Sequence, residues 1–320
     1  MLLNETAEQI RSMEIRGAGR IARAAAAALK DHAETFEGSD IRSFRHFMGE
    51  AACTLLATRP TAVSLPNAVR FVMKAMEGAG NVPEAQAAIR RAADSFLLSS
   101  KHAIEWIGEI GARHISDGDV VLTHCNSEAA LACILTAHRQ GKDLEVFATE
   151  VRPRNQGILT IRALNDAGVK TNYIVDSAVR SFINDVDLVV TGADAVTVNG
   201  AVVNKIGTSQ IALAAHEART TMLVAAETYK FAPRSILGER IEIEERQTDE
   251  VLDPAVAATL PHVRVRNPAF DVTPARYVDE IVTEMGAIPP TMAYIIIRDH
   301  LGWGIEEFHK NFEFNERMQE

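Results

Sequence analysis

Residues 118–138, GDVVLTHCNSEAALACILTAH, read as a buried strand that runs directly into a helix. Between the two stand His124, Cys125, Asn126 and Ser127, polar residues at a point where backbone amides open toward solvent. The pattern recurs. DVVLTH (119–124), LEVFAT (144–149), TNYIVD (171–176), DLVVTG (187–192) and TMLVAA (221–226) are short apolar runs, each followed by a helical or loop segment. Apolar strands alternating with helices imply βαβ units and a mainly parallel sheet covered by helices on both faces. VTVNGAVVN (196–204) predicts a hairpin with Asn199-Gly200 at its turn. Beyond Thr248, VRVRNP (263–268) carries a weaker strand signal, and helices are expected from about Ala275.

Upstream of this region the period is helical. NETAEQIRSM (4–13) offers Asn4 as an N-cap, and GRIARAAAAALKDHAE (19–34) is an alanine-rich helix whose bare face permits close packing. IRSFRHFMGEAACTLLATR (41–59) and LPNAVRFVMKAME (65–77) follow, and the stretch from Val82 to Ile115 reads as one long helix or two joined ones. The change of period, with GARHISDGD (111–119) at the junction, divides the chain into a helical domain at 1–112 and an α/β domain at 113–320.

Composition narrows the function. With 43 acidic against 33 basic residues the net charge is −10, which argues against a partner that is nucleic acid or an anionic membrane. A small phosphorylated substrate needs only a few local cations. No run of 18 apolar residues occurs, and the N-terminal segment lacks a signal-peptide core, so a cytoplasmic protein is expected. Three cysteines, Cys53, Cys125 and Cys133, do not suggest a disulfide framework or a metal site. An aromatic share of 6% implies aliphatic cores.

In open α/β sheets ligands bind beyond the carboxyl ends of the strands. Cys125 lies just past the first strand and Asp194 just past a later one, which is a reason to pair them. Downstream amides at the helix start favour a Cys125 thiolate, against the ordinary alternative of a small buried hydrophobe. Asp194 has the alternative of a helix cap or turn residue. Asn204 and Lys205 precede a helix beginning near Gly207 to Ser209, where lysine, amides and helix dipole would form a phosphate site; a solvated loop lysine is the plainer reading. GAGRIA (17–22) matches a dinucleotide fingerprint, but no strand precedes it and no acid ends a second strand at the required distance.

Long ordered segments carry a resemblance: RGAGRIARAAAAAL (16–29), TRPTAVSLPNAV (58–69), THCNSEAAL (123–131), EVRPRNQGILTIRALNDAGV (150–169), TGADAVTVNGAVVNKIGTSQIALAAH (191–216), AETYKFAP (226–233) and RNPAFDVTPARYVDEIVTEMGAIPP (266–290). From about residue 14 onward the chain resembles the sugar-phosphate isomerases whose family also contains the alpha, beta and delta subunits of translation initiation factor 2B. The resemblance implies a Rossmann-like catalytic domain, Cys125 and Asp194 as catalytic pair, and no metal or other cofactor. It places substrate contacts at Arg16, Gly17, Ala18 and Gly19, at Arg59, at Ser127, Glu128 and Ala129, and at Asn204, Lys205 and Lys230. Arg152 is a further cation, as a phosphate contact or in a supporting ion pair.

The implied activity is isomerisation of ribose 1,5-bisphosphate to ribulose 1,5-bisphosphate in nucleoside monophosphate degradation. Two alternatives compete: methylthioribose 1-phosphate isomerisation in methionine salvage, and a non-catalytic subunit of the translation factor. RGAG at 16–19 and Lys230, a cation suited to a second phosphate, favour the bisphosphate; the retained cysteine and aspartate favour an enzyme. The expected partner is a sugar phosphate, and the expected assembly a dimer-based homo-oligomer, by resemblance a hexamer. In the expected chemistry, Asp194 gives a proton to the ring oxygen and a Cys125 thiolate takes the C2 proton, with a C2-to-C1 hydride shift as the other route. Closure of the helical domain over the sheet is expected to exclude water.

Overall fold

The computed structural model describes residues 3–59 and 62–303. The chain divides into two compact units, Met1–Glu105 and Trp106–Glu320. Helices α1 (Leu3–Arg11), α2 (Ala18–Glu34), α3 (Ile41–Leu56) and α4 (Ser64–Lys74) build the first unit, and α5 (Val82–Ala112) runs as one helix from it into the second. Asn4 lies inside the first turn of α1 and does not cap it, whereas Asp40 caps α3 by accepting from the Ser43 amide at 2.8 Å. The alanine face of α2, with Ala22, Ala25, Ala26 and Leu29 buried, packs on α4 through Leu65, Ala68 and Val72. Small side chains let the two helices approach closely, and the three leucine- and valine-sized residues supply the apolar area.

The five strand runs read from the sequence all form. They are β1 (Val120–His124), β2 (Glu145–Thr149), β3 (Lys170–Ile174), β4 (Leu188–Gly192) and, after two short strands described below, β7 (Thr221–Ala225). Strand β4 is buried along its whole length, whereas β3, at the edge of the sheet, has no fully buried residue. The intervening helices are α6 (Glu128–Arg139), α7 (Gly157–Asp166), the single turn α8 (Val179–Phe182) and α9 (Thr208–Ala218). Leu122, Val189, Val224 and Ile211 share one core. Full burial of each such side chain contributes about 1.5–3 kcal/mol relative to exposure.

The hairpin at 196–204 forms but stands apart from the main sheet. Strand β5 (Ala195–Val196) pairs antiparallel with β6 (Val202–Lys205), and β6 pairs with β8 (Phe270–Thr273) in a small second sheet. Gly200, at φ 78°, makes the turn and donates to Thr197 O at 2.9 Å.

Two expectations for the C-terminal region are corrected. VRVRNP is not a strand: Val263 is exposed, and Pro268, which lacks an amide hydrogen, makes only an isolated bridge to Glu245. Only a single 3-10 turn, Ala275–Tyr277, forms where helices are expected from Ala275. Instead β9 (Glu280–Thr283) and β10 (Gly286–Ile288) complete the main sheet, and the next helical turns start at Pro290. The β-branched Ile281, Val282 and Thr283, followed by Gly286 at φ 136°, specify a tight hairpin that a helical reading overlooks.

The seven-stranded order is β10-β9-β7-β4-β1-β2-β3, parallel except for β10. The chain winds outward through β2 and β3, then returns to the other side of β1 to lay down β4. The reversal leaves a crevice at the carboxyl ends of β1 and β4, the place where such sheets bind ligands. Among the described residues no helix is long and apolar enough to cross a membrane.

Candidate active site

Cys125 follows the last residue of β1, and Asp194 comes two residues after β4 ends. The strands are neighbours, with His124 opposite Thr191. The two residues therefore leave the sheet at the same crevice. Cys125 adopts φ 68°, a conformation uncommon outside glycine, and its carbonyl is held by the Thr160 hydroxyl of α7 at 2.7 Å.

Beneath it, buried His124 ties three segments together. Its Nε2 lies 2.9 Å from Ile206 O and its Nδ1 2.6 Å from the Thr149 hydroxyl. Burial lowers its pKa, so the ring is neutral. A carbonyl can only accept; the proton therefore sits on Nε2, and Nδ1 accepts from Thr149. Asp176, 3.9 Å from Nδ1, accepts from the amides of Val151 and Arg152 at 2.9 and 2.8 Å and so positions the loop that carries Arg152, Arg154 and Gln156.

Two glycines permit this packing. A Cβ on Gly192 would lie 2.2 Å from Ser127 Oγ, and one on Gly207, where φ is 106°, 2.9 Å from His124 Cε1. Ser127 caps α6 by accepting from the Ala130 amide at 3.2 Å, with Glu128 exposed and Ala129 buried in the first turn.

The environment of the thiol departs from the sequence expectation. Burial pushes the Cys125 pKa up to about 11, against the opposing charge of Lys205; Asp194 adds to the rise, while the Asn126 amide and Arg246 resist it. The helix start does not win, because α6 begins three residues further on. Cys125 is a protonated thiol here, and its Sγ faces Gln156 Oε1 at 3.8 Å. Cys133, in the core as expected, is pushed to about 12 by burial.

Lys205 is buried at the end of β6, and burial lowers its pKa while Cys125 and Asp194 raise it. Its ammonium stands 4.5 Å from the centre of the Phe270 ring. Asn204 donates to the Thr208 hydroxyl at 3.0 Å. The helix amides expected to hold phosphate beside Lys205 are already engaged: Asp271 accepts from Gly207 at 2.8 Å and from Ser209 at 3.1 Å. That corrects the phosphate cradle at Gly207 to Ser209, which a carboxylate fills.

Lys230 follows β7, the neighbour of β4. It is buried and stands 2.6 Å from Glu227, which also accepts from the Tyr229 hydroxyl at 2.8 Å. Phe231 bridges Val196, and Ala232 donates to Val196 O at 2.8 Å, so this segment runs beside the one that carries Asp194.

A small cavity at the crevice is lined by Arg152, Arg154, Gln156, Lys205, Arg246 and Asn267, among others. Arg154 donates to Glu250 at 2.7 Å, whereas Arg152 is exposed and, among the described residues, makes no ion pair. Gln156, Arg246 and Asn267 were not singled out by the sequence. Gln156 stands in the quoted EVRPRNQG segment, but Arg246 sits in ERQTDE, where no period or motif marks it. Among the described residues no cluster of His, Cys, Asp or Glu has the makings of a metal site.

Within the helical unit, Gly17 at φ 91° precedes α2, with Arg16 exposed and Gly19 buried. The Ser64 hydroxyl at the start of α4 donates to Ala18 O at 2.8 Å, which joins this loop to the segment that follows half-buried Arg59. Among the described residues no strand precedes GAGRIA.

Residues 14–290 match the model of the initiation factor 2 subunit family. The chain belongs to that family. Its similarity to curated relatives extends over nearly the whole chain. It is 56% identical to a ribose 1,5-bisphosphate isomerase of Archaeoglobus fulgidus, over 95% of each chain. With a ribose 1,5-bisphosphate isomerase of Methanocaldococcus jannaschii it shares 54% over 94% of this chain and 96% of that one. A methylthioribose-1-phosphate isomerase of Gemmatimonas aurantiaca is 37% identical over 90% of this chain and 85% of its own. Among solved structures of the family, translation initiation factor eIF-2B of Pyrococcus horikoshii superposes with a TM-score of 0.77 at 32% identity, covering 90% of this chain and 97% of that one.

Proposed function

We propose that this protein is an aldose–ketose isomerase that converts ribose 1,5-bisphosphate to ribulose 1,5-bisphosphate. The observation that carries the reading is the meeting of a thiol, a carboxyl group and buried cations at the β1–β4 crevice. It occurs in a chain more than half identical, along nearly its whole length, to two isomerases of that name.

With C1 phosphorylated, the furanose cannot open to a free aldehyde. The ring oxygen must take a proton as the C1–O4 bond breaks. The Cys125 thiol is the group that holds one, and arrival of a phosphate dianion near Lys205 would offset the charge that favours thiolate. This exchanges the roles expected from the sequence. The thiol gives its proton to O4, and the Asp194 carboxylate takes the C2 proton. The enol at C1–C2 then takes that proton back at C1, while its O2 proton returns to the thiolate and leaves the C2 ketone. Protons and electrons balance within the substrate and this pair. A hydride moving from C2 to C1, with Asp194 taking the O2 proton, closes the same balance.

Asn204, Lys205, Lys230 and the residues at the start of α6, Ser127 to Ala129, are assigned to substrate binding, as are Arg16 to Gly19 and Arg59 of the helical unit. Arg gives bidentate phosphate contact and Lys a point charge. The protein is assigned to nucleoside monophosphate degradation in the cytoplasm and to a homo-oligomer built from dimers. Ketose formation from ribose 1,5-bisphosphate, with methylthioribose 1-phosphate as the competing substrate, tests the activity, and light scattering tests the assembly.

A further inference from the structure

The cations expected from the sequence leave out a guanidinium that the fold brings to the crevice. Arg246 is mostly buried, its side chain 13% exposed. Its backbone is fixed by donation from its amide to Asn267 O at 2.9 Å, and the neighbouring Glu244 carbonyl accepts from Ala269 at 2.8 Å. The side chain is less fully used. Its Nε lies 3.4 Å from Glu244 Oε1 without hydrogen-bond geometry and, among the described residues, has no other partner. A buried N–H without a hydrogen-bond acceptor is destabilising, so its retention calls for an acceptor that arrives from outside. The guanidinium lines the cavity together with Lys205 and Gln156, and its charge is felt both at the Cys125 thiol and at Lys205. Two cations held within electrostatic reach of each other repel, and a dianion between them removes the repulsion.

We infer that Arg246 is a substrate-binding residue that, with Lys205, holds the phosphate on C1, beside the C1–O4 bond where Cys125 gives its proton and the C2 from which Asp194 takes one. The inference rests on the isomerase reading and adds a residue and a specificity to it: the Arg246–Lys205 pair discriminates for an anion on C1, not on C5. Planar, always charged and able to give two parallel N–H bonds, arginine suits a phosphate that must be held while the adjacent C1–O4 bond breaks.

The test measures binding in a Cys125→Ser background, where chemistry is blocked, by calorimetry with ribulose 1,5-bisphosphate and with ribose 5-phosphate, which has no C1 phosphate. Arg246→Gln is expected to weaken the bisphosphate by about 10- to 100-fold, the loss of one charge-assisted contact, and to leave ribose 5-phosphate within twofold. Arg246→Lys, which keeps the charge without the fork, should fall between. Equal weakening of both ligands, or of neither, overturns the assignment. Thermal melting of each variant separates loss of fold from loss of contact. Turnover of ribose 1,5-bisphosphate by the unmodified protein is measured alongside. If that turnover is absent, the isomerase reading fails; if it is present and Arg246→Gln binds normally, only the Arg246 assignment fails.

Discussion

Asp271 accepts the Gly207 amide at 2.8 Å and so occupies, with a carboxylate of the protein itself, the helix start where a phosphate would otherwise sit. Burial raises its pKa to about 6, against the hydrogen bonds from Ser209 and Gly207 that favour the charged form. An acid whose folded pKa lies above its unfolded value contributes stability below the unfolded pKa, near 3.9, and loses it as pH rises through about 6. Thermal melting of the unmodified protein and of Asp271→Asn, compared from pH 4 to pH 7, should show the unmodified protein losing stability relative to the variant across that interval. Parallel pH curves would mean that the carboxyl group is not buried as described.

The thiol at the crevice offers a chemical check. With its pKa at about 11, Cys125 should react with iodoacetamide at a rate that rises about tenfold per pH unit through pH 7–10, because only the thiolate reacts. Peptide mass analysis separates Cys125 from exposed Cys53 and buried Cys133. A Cys125 rate that levels off below pH 9 would restore the thiolate and with it the original assignment of acid and base.

Lys230 and Glu227 form an ion pair almost wholly out of water, their side chains 8% and 2% exposed. Removing one partner strands the other: Lys230→Met should cost about 3–5 kcal/mol in denaturant unfolding. The double variant Glu227→Gln/Lys230→Met should recover most of that loss. If the single variant is as stable as the unmodified protein, the pair is hydrated and Lys230 is free to meet substrate without breaking a bond.

What the sequence disclosed follows from how each signal is written. The parallel strands were legible because burial on both faces leaves uninterrupted aliphatic runs, as in Leu188-Val189-Val190. That β1 and β4 are neighbours was not, since strand order depends on crossover connections and not on local pattern. Strands β9 and β10 were missed because four and three residues carry too little periodicity to outweigh the helical look of the flanking segments. Cys125 and Asp194 stood out by their place after strands. Arg246 did not, because its position depends on the pairing of 244–246 with 267–269. The protonated thiol could not be foreseen either: burial is a tertiary property, and it outweighs the local amides.

Gly192 is required by close approach and not by its backbone angles. A methyl group there would collide with Ser127 Oγ, so Gly192→Ala should destabilise the protein by about 1–3 kcal/mol. Ser127→Gly opens that space and costs a cap only a few tenths of a kcal/mol. The double variant should therefore melt higher than Gly192→Ala alone. A double variant that melts lower would show that the β4–α6 junction is packed differently.

The measurement that tests the central claim most directly is ketose formation from ribose 1,5-bisphosphate and, separately, from methylthioribose 1-phosphate, with Cys125→Ser and Asp194→Asn alongside. The account predicts turnover of the bisphosphate, not of the thioether, and a loss of at least about 100-fold in each variant, the scale of a missing general acid or base. Turnover of the thioether alone, or bisphosphate turnover that survives both substitutions, would contradict it.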